Sequence, residues 1–369
     1  MTEGHTMEHR IYIFEDNESN LKDLKSPLES HIDTERFRIE EFLGDDGNQS
    51  EFDDTEYVKE LLADEDEGYP LLVILDAELN EYQSSTVRRA DVREACSEFG
   101  IPLCVYHRDD GEYADPDSVK ESDDQIIRLL PRNGGHEQMA LKCAALIKGF
   151  DKIRTHLTER MAEASPEELF EPPSEFIKEL DNVPISSKPD IDKYSWGQSE
   201  SLSLLKENEG KEDAIRRKAT VLGYWMVNQL LEYPGVLVNE IAAASYLGID
   251  VEEFSTNNEI RSRFEDARYK GPFSEVGDYW WTAELDNILA MNTTVEDDGT
   301  VTTIDFLSRE GIEVDSVMCV EEHEGAGYYC ILENVPVCEE HSVSPEAWIP
   351  AGASLSRLRE EAWMKLKGW

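Results

Sequence analysis

The sequence predicts an α/β protein: a five-stranded, doubly wound parallel sheet, followed by a mainly helical domain and a small C-terminal module. Three observations carry this expectation. Short apolar runs alternate with amphipathic segments from Arg10 to about Leu157. The pattern then breaks in a stretch crowded with Pro166, Pro172, Pro173, Pro184 and Pro189. Beyond Lys211 the apolar spacing turns helical and aromatic. The expected boundaries are 1–157 for the α/β domain, 158–210 for a Pro/Ser/Glu-rich linker, 211–291 for the helical domain and 292–369 for the C-terminal module.

In the first domain, Arg10-Ile-Tyr-Ile-Phe14 reads as a strand running into Glu15-Asp16, and Leu21, Leu24 and Leu28 follow at helical spacing. Phe37 to Leu43 is a second strand, and Tyr57, Val58, Leu61 and Leu62 mark a helix. Leu71-Leu-Val-Ile-Leu75 is apolar throughout, as a strand covered on both faces must be, and it ends at Asp76. A helix from Arg88 to Phe99 is stopped by Gly100, Ile101 to Tyr106 is the fourth strand, and Ile126 to Leu130 is the fifth. The helix after it should present Met139, Leu141, Ala145 and Ile153 to the core. In such a sheet the carboxyl ends of the central strands converge, so Glu15, Asp16 and Asp76 are expected to form one acidic pocket.

This order of acids at the ends of the first and third strands resembles the receiver domain of two-component response regulators, over about 40% of the chain. The resemblance implies Mg²⁺ at Glu15, Asp16 and Asp76, with Asp76 in the place of the phosphoacceptor. The chain departs from it twice. The end of the fourth strand reads Val105-Tyr-His-Arg108 where receivers carry Ser or Thr, and Leu130 stands before Pro131 where they carry Lys. Without that cation the phosphoryl charge loses a main stabiliser. A degenerate receiver is expected, with Arg132 and His107 as the substitutes to consider.

In the helical domain, Ala219, Leu222, Trp225, Met226 and Leu230 share one helix face, and Val238, Ile241, Ala242 and Leu247 begin another helix that Gly248 ends. Arg216-Arg-Lys218 and Arg261, Arg263, Arg268 and Lys270 offer local positive charge for a helical nucleic-acid reader. Glu212, Asp213, Glu265 and Asp266 flank these clusters, so ion-paired helix faces are the expected reading. Trp280 and Trp281 are expected in a core or an interface.

The C-terminal module holds Cys319, His323, Cys330, Cys338 and His341. The Cys-x₃-His and Cys-x₂-His pairs have the close spacing that lets a short loop close on tetrahedral Zn²⁺. Glu322 and Cys330 are alternative ligands. The segment is similar to a treble-clef or zinc-ribbon knuckle, which implies a structural zinc held by Cys319, His323, Cys338 and His341. The tail reads as a helix with Ser354 as N-cap and Leu355, Leu358, Ala362, Trp363 and Leu366 on one face, docked on the chain itself, a partner groove or a second copy in a homodimer.

Charge and motifs bound the function. Asp and Glu number 81 against 35 Lys and Arg, for a formal charge of −46. Such a surface repels phosphate backbones and anionic lipid, so nucleic-acid binding is disfavoured, and it suits a salt-rich, halophilic cytoplasm. Apolar runs fall well short of the roughly 20 residues of a membrane-spanning helix. Six Cys in 369 residues do not make a disulfide framework. No Walker loop, dinucleotide fingerprint, nucleophile elbow or His-Glu-x-x-His stretch is present. A non-enzymatic regulator or scaffold acting through protein contacts is therefore expected, with a phosphoaccepting response regulator or a sequence-specific DNA-binding regulator as alternatives.

Overall fold

The computed structural model describes residues 9–43, 54–63, 68–79, 87–106, 125–129, 135–160, 173–181, 188–194, 200–206, 209–292, 302–321, 325–344 and 348–367. The chain divides into two compact units. The first comprises Met1–Ala114, Asp123–Phe170 and Ser199–Trp225, and the second comprises Asp115–Ser122, Glu171–Gln198 and Met226–Trp369.

In the first unit β1 (His9–Phe14), α1 (Glu18–His31), β2 (Phe37–Phe42), α2 (Asp54–Leu62), β3 (Leu72–Asp76), α3 (Arg89–Phe99), β4 (Leu103–Tyr106), β5 (Ile127–Leu129) and α4 (Gly135–Arg160) succeed one another. All strands are parallel, in the order β2-β1-β3-β4-β5. That order is the doubly wound arrangement of flavodoxin-like and receiver folds. Side chains alternate across the sheet. Tyr12, Phe14, Val73, Leu75, Leu103 and Val105 share a core with Val58 and Leu62 of α2 and Val92 and Ala95 of α3. Ile11, Ile13, Leu72, Ile74 and Cys104 alternate with them and are equally buried, and α1 packs with α4. A strand covered on both faces must be apolar throughout, which is why β3 stands out as a continuous run.

Local chemistry sets the ends of these elements. Asn17 caps α1 by accepting from the amides of Ser19 and Asn20. Gly100, at φ 66°, closes α3 with its amide on the carbonyls of Cys96 and Ser97, as the expected stop requires. Some details differ from expectation: the fourth strand begins at Leu103 and the fifth at Ile127. The second strand ends at Phe42, leaving Leu43 exposed, and Leu141 on α4 is 44% exposed, not on the apolar face.

Part of the stretch expected as a linker is packed structure. Helices α5 (Pro173–Leu180) and α6 (Lys188–Ile191) belong to the second unit, where Phe176, Ile177 and Tyr194 are buried. The Tyr194 hydroxyl donates to the Tyr233 carbonyl, and a side chain at Gly352 would collide with the Tyr194 ring. Helix α7 (Lys211–Trp225), placed by sequence at the head of the helical domain, belongs to the first unit and packs on α4. Gly223 permits this, since a Cβ there would lie 2.1 Å from the Phe150 ring.

The second unit continues with β6 (Leu237–Asn239), α8 (Glu240–Leu247), α9 (Val251–Thr256), α10 (Asn258–Arg263), β7 (Tyr279–Trp281), α11 (Thr282–Met291) and α12 (Thr303–Arg309). β6 and β7 pair antiparallel. Trp280 lies in a core with Val238, Phe254, Phe264, Leu285 and Phe306, and the Trp281 indole donates to Asp181. A second, four-stranded sheet has the order β10-β11-β8-β9, from β8 (Tyr328–Cys330), β9 (Val335–Val337), β10 (Ser342–Val343) and β11 (Ser356–Arg359). The tail differs from the expected single helix. Leu358 lies in β11, and helix α13 (Glu360–Leu366) begins only after Arg359. Buried Ser356 and Leu358 alternate with Arg357 and Arg359, a strand period that the spacing of Leu355, Leu358 and Ala362 masks.

Candidate functional site

Two side-chain clusters of metal-ligating type stand among the described residues, one in each unit. The first is built by strand register. Phe14 pairs with Leu75 and Asp76 pairs with Tyr106, so the residue after β1 and the last residues of β3 and β4 reach the same sheet edge. Glu15, Asp16 and Asp76 each bring a carboxylate oxygen within 4.8 Å of the others, as the sequence predicts. Glu15 and Asp76 are fully buried, and Asp16 is half-buried.

Hydrogen bonds fix the carboxylates. Glu15 Oε1 accepts the Asn17 amide at 2.9 Å, and Oε2 accepts the hydroxyl of Tyr106. Asp76 Oδ1 accepts the Glu78 amide at 3.2 Å. The sequence marks Tyr106 only as a departure at the end of the fourth strand. Its contact with Glu15 follows from strand order, which composition does not reveal. His107, Arg108, Leu130, Pro131 and Arg132 lie outside the described residues. Three carboxylate oxygens held this close suit a hard divalent cation such as Mg²⁺ or Ca²⁺, which takes oxygen ligands.

The second cluster joins Cys319, Cys338 and His341, whose ligand atoms also lie within 4.8 Å of one another. Cys338 and His341 sit in the turn between β9 and β10, and Cys319 comes from the preceding 316–321 segment. The Cys338 amide donates to Cys319 Sγ at 3.3 Å, and His341 Nδ1 lies 3.1 Å from Cys338 Sγ. Burial pushes the Cys319 thiol up, while the amides of Glu321 and Cys338 act to lower it. Two sulfurs and an imidazole form a soft donor set that fits Zn²⁺. Tetrahedral Zn–S bonds of about 2.3 Å would place two sulfurs roughly 3.8 Å apart, inside the observed limit. Cys330 stands outside this cluster, fully buried and accepting the Arg359 amide at 3.3 Å. His323 and Glu322 lie outside the described residues.

The basic clusters are engaged within the chain. Arg216, Arg217 and Lys218 are buried at 5%, 4% and 3% exposure. Arg216 stacks on Tyr69, pairs with Asp213 and donates to the Phe99 carbonyl. Arg261 pairs with Glu240 and Asp278, Arg263 with Glu310, and Arg268 and Lys270 with Glu265.

Fold and clusters thus define a doubly wound α/β unit with an acidic strand-end pocket, joined in one chain to a unit whose small C-terminal sheet carries a soft donor set. No family model, curated protein or solved structure matches the chain. Among the described residues no helix is long and apolar enough to cross a membrane.

Proposed function

We propose that the chain is a regulatory or scaffold protein whose receiver-like unit is degenerate: its acidic pocket takes Mg²⁺ but does not carry a phosphoryl group, and its output is made through protein contacts. The observation that carries this reading is the meeting of Glu15, Asp16 and Asp76 beside Tyr106. The pocket has the oxygen donors a cation needs, and the hydroxyl of Tyr106, the residue in register with Asp76, donates to Glu15. In the second unit Cys319, Cys338 and His341 hold a structural Zn²⁺. The ion pairs of the basic clusters favour protein contacts over nucleic acid, since their charge is already neutralised within the fold.

Magnesium should raise the melting temperature of the full chain. Saturation at 100 times the dissociation constant corresponds to about 2.7 kcal/mol. Asp76→Asn should abolish the response. Incubation with acetyl phosphate and Mg²⁺ should leave the intact mass unchanged. A stable phosphoryl adduct lost in Asp76→Asn would replace this reading with a phosphoaccepting response regulator.

The excess of acid supports a salt-rich cytoplasm. Raising ionic strength from about 0.1 M to about 1 M shortens the screening length from about 10 Å to about 3 Å and relieves repulsion among surface carboxylates. The melting temperature should climb steadily over that range of KCl. A flat or falling curve would remove the halophilic reading.

A further inference from the structure

All six cysteines are free, but their surroundings differ. Cys96 sits in an apolar core at 1% exposure. Cys104 and Cys143 are both fully buried. Cys330 is fully buried and holds the Arg359 amide. Cys319 and Cys338 combine three features: a neighbouring thiol, an imidazole nitrogen 3.1 Å from the Cys338 sulfur, and a place beside the half-buried His341, Cys338 being 7% exposed.

We propose that Cys319 and Cys338 are a redox-sensitive pair that closes to a disulfide on reaction with a low-molecular-mass disulfide, so that oxidation and metal binding exclude one another at this site. The thiol pair stands on its own geometry; the consequence for metal rests on the proposed zinc site. The amide of Cys338 seats the Cys319 sulfur against the backbone of the second cysteine, which places the two sulfurs for exchange without a long search of conformations.

The chemistry balances as two exchanges. In the metal-free site the Cys338 sulfur attacks one sulfur of the external disulfide, and the Cys338 proton passes to the half that leaves. That S–S bond breaks, and one half leaves as a thiolate that takes up a proton. Cys319 sulfur then attacks the Cys338 sulfur of the mixed disulfide, the second half leaves, and the Cys319 proton goes to it. Two protein thiols are oxidised to one disulfide, and the external disulfide is reduced to two thiols. Of the two thiolate electron pairs that would bind the metal, one becomes the S–S bond and the other passes to the reduced external thiols, leaving His341 alone as a ligand among the described members of the cluster.

The test uses the full chain, loaded with Zn²⁺ under reducing conditions, desalted and exposed to oxidised glutathione. Zinc release is followed with a chromogenic chelator, and disulfides are mapped by non-reducing peptide mass spectrometry. The expected result is a Cys319–Cys338 link appearing in step with zinc release, while Cys104 and Cys143 stay reduced. Cys338→Ser should form no link, and Cys319→Ser should stop at the mixed disulfide. A loaded chain that forms no such link, or that forms it while keeping its zinc, overturns the proposal. A chain that takes up no zinc yet forms the link supports the thiol pair and overturns the metal reading alone. The mapping is done on the unsubstituted chain, so it decides between these outcomes even where a variant fails to fold.

Discussion

Stripping the proposed zinc from the second unit should lower its stability by about 4 kcal/mol at a metal concentration of 1,000 times the dissociation constant. The size of the effect follows from the sheet it holds. Its strands are two to four residues long, and the apolar cluster that contains Cys319 and Cys338 has Val317, Ala326, Cys330 and Val337 as its other buried members, with Val251, Tyr328, Leu332 and Val335 packed against it. Strands this short with so small a core are marginal on their own. A metal tying Cys319 to the β9–β10 turn would bind this folded arrangement of ligands and not the unfolded chain, so its binding free energy would add to folding. Metal analysis of the purified protein, followed by thermal melts with and without a strong chelator, checks this. Cys338→Ser should reproduce the effect of the chelator, whereas Cys330→Ser should destabilise the chain without changing metal content, because its sulfur faces the Arg359 amide. Identical melts with and without chelator would refute a structural metal.

The first unit was legible in the sequence where burial forces a pattern. β1 and β3 are covered on both faces, so they had to be apolar runs, and the acids that interrupt them had to fall at the strand ends. Gly100 and Gly248 were legible as helix stops because each adopts a positive φ, where glycine carries no Cβ penalty. The place of α7 was not legible. Arg216-Arg217-Lys218 has the composition of a solvated basic patch, and nothing local shows that its acceptors are the carbonyls at the end of α3. Strand β11 was hidden for another reason: Leu355, Leu358 and Ala362 fit a helical period, and pairing with β8 and β10 decided between helix and strand. At the soft donor cluster, residue spacing brought out Cys319, Cys338 and His341, but could not separate them from Cys330, whose exclusion is a matter of tertiary packing.

Replacing Arg217 by Ala should cost the first unit about 3 kcal/mol or more, although charge composition alone marks it as a surface residue. The residue is 4% exposed and its guanidinium spans three acceptors: Glu209 Oε1 at 2.8 Å, the Leu204 carbonyl at 3.3 Å and the Glu98 carbonyl. Arg216 and Thr220 add bonds to the carbonyls of Phe99 and Gly100 at 2.8 Å each. The last carbonyls of α3, which no helical amide can reach, are thereby satisfied by side chains of α7. Truncation removes three bonds at once and takes from Glu209, only 17% exposed, the guanidinium with which it pairs. Breaking one half of a buried pair is costly because the other charge stays buried. Arg217→Lys should recover only part of the loss, since an ammonium cannot reproduce the planar fork. The comparison is Arg263→Ala, whose pair with Glu310 is 37% and 42% exposed and should contribute under about 1 kcal/mol. Urea melts of the three variants give the order directly. Equal midpoints for Arg217→Ala and Arg263→Ala would show that α7 does not hold the end of α3.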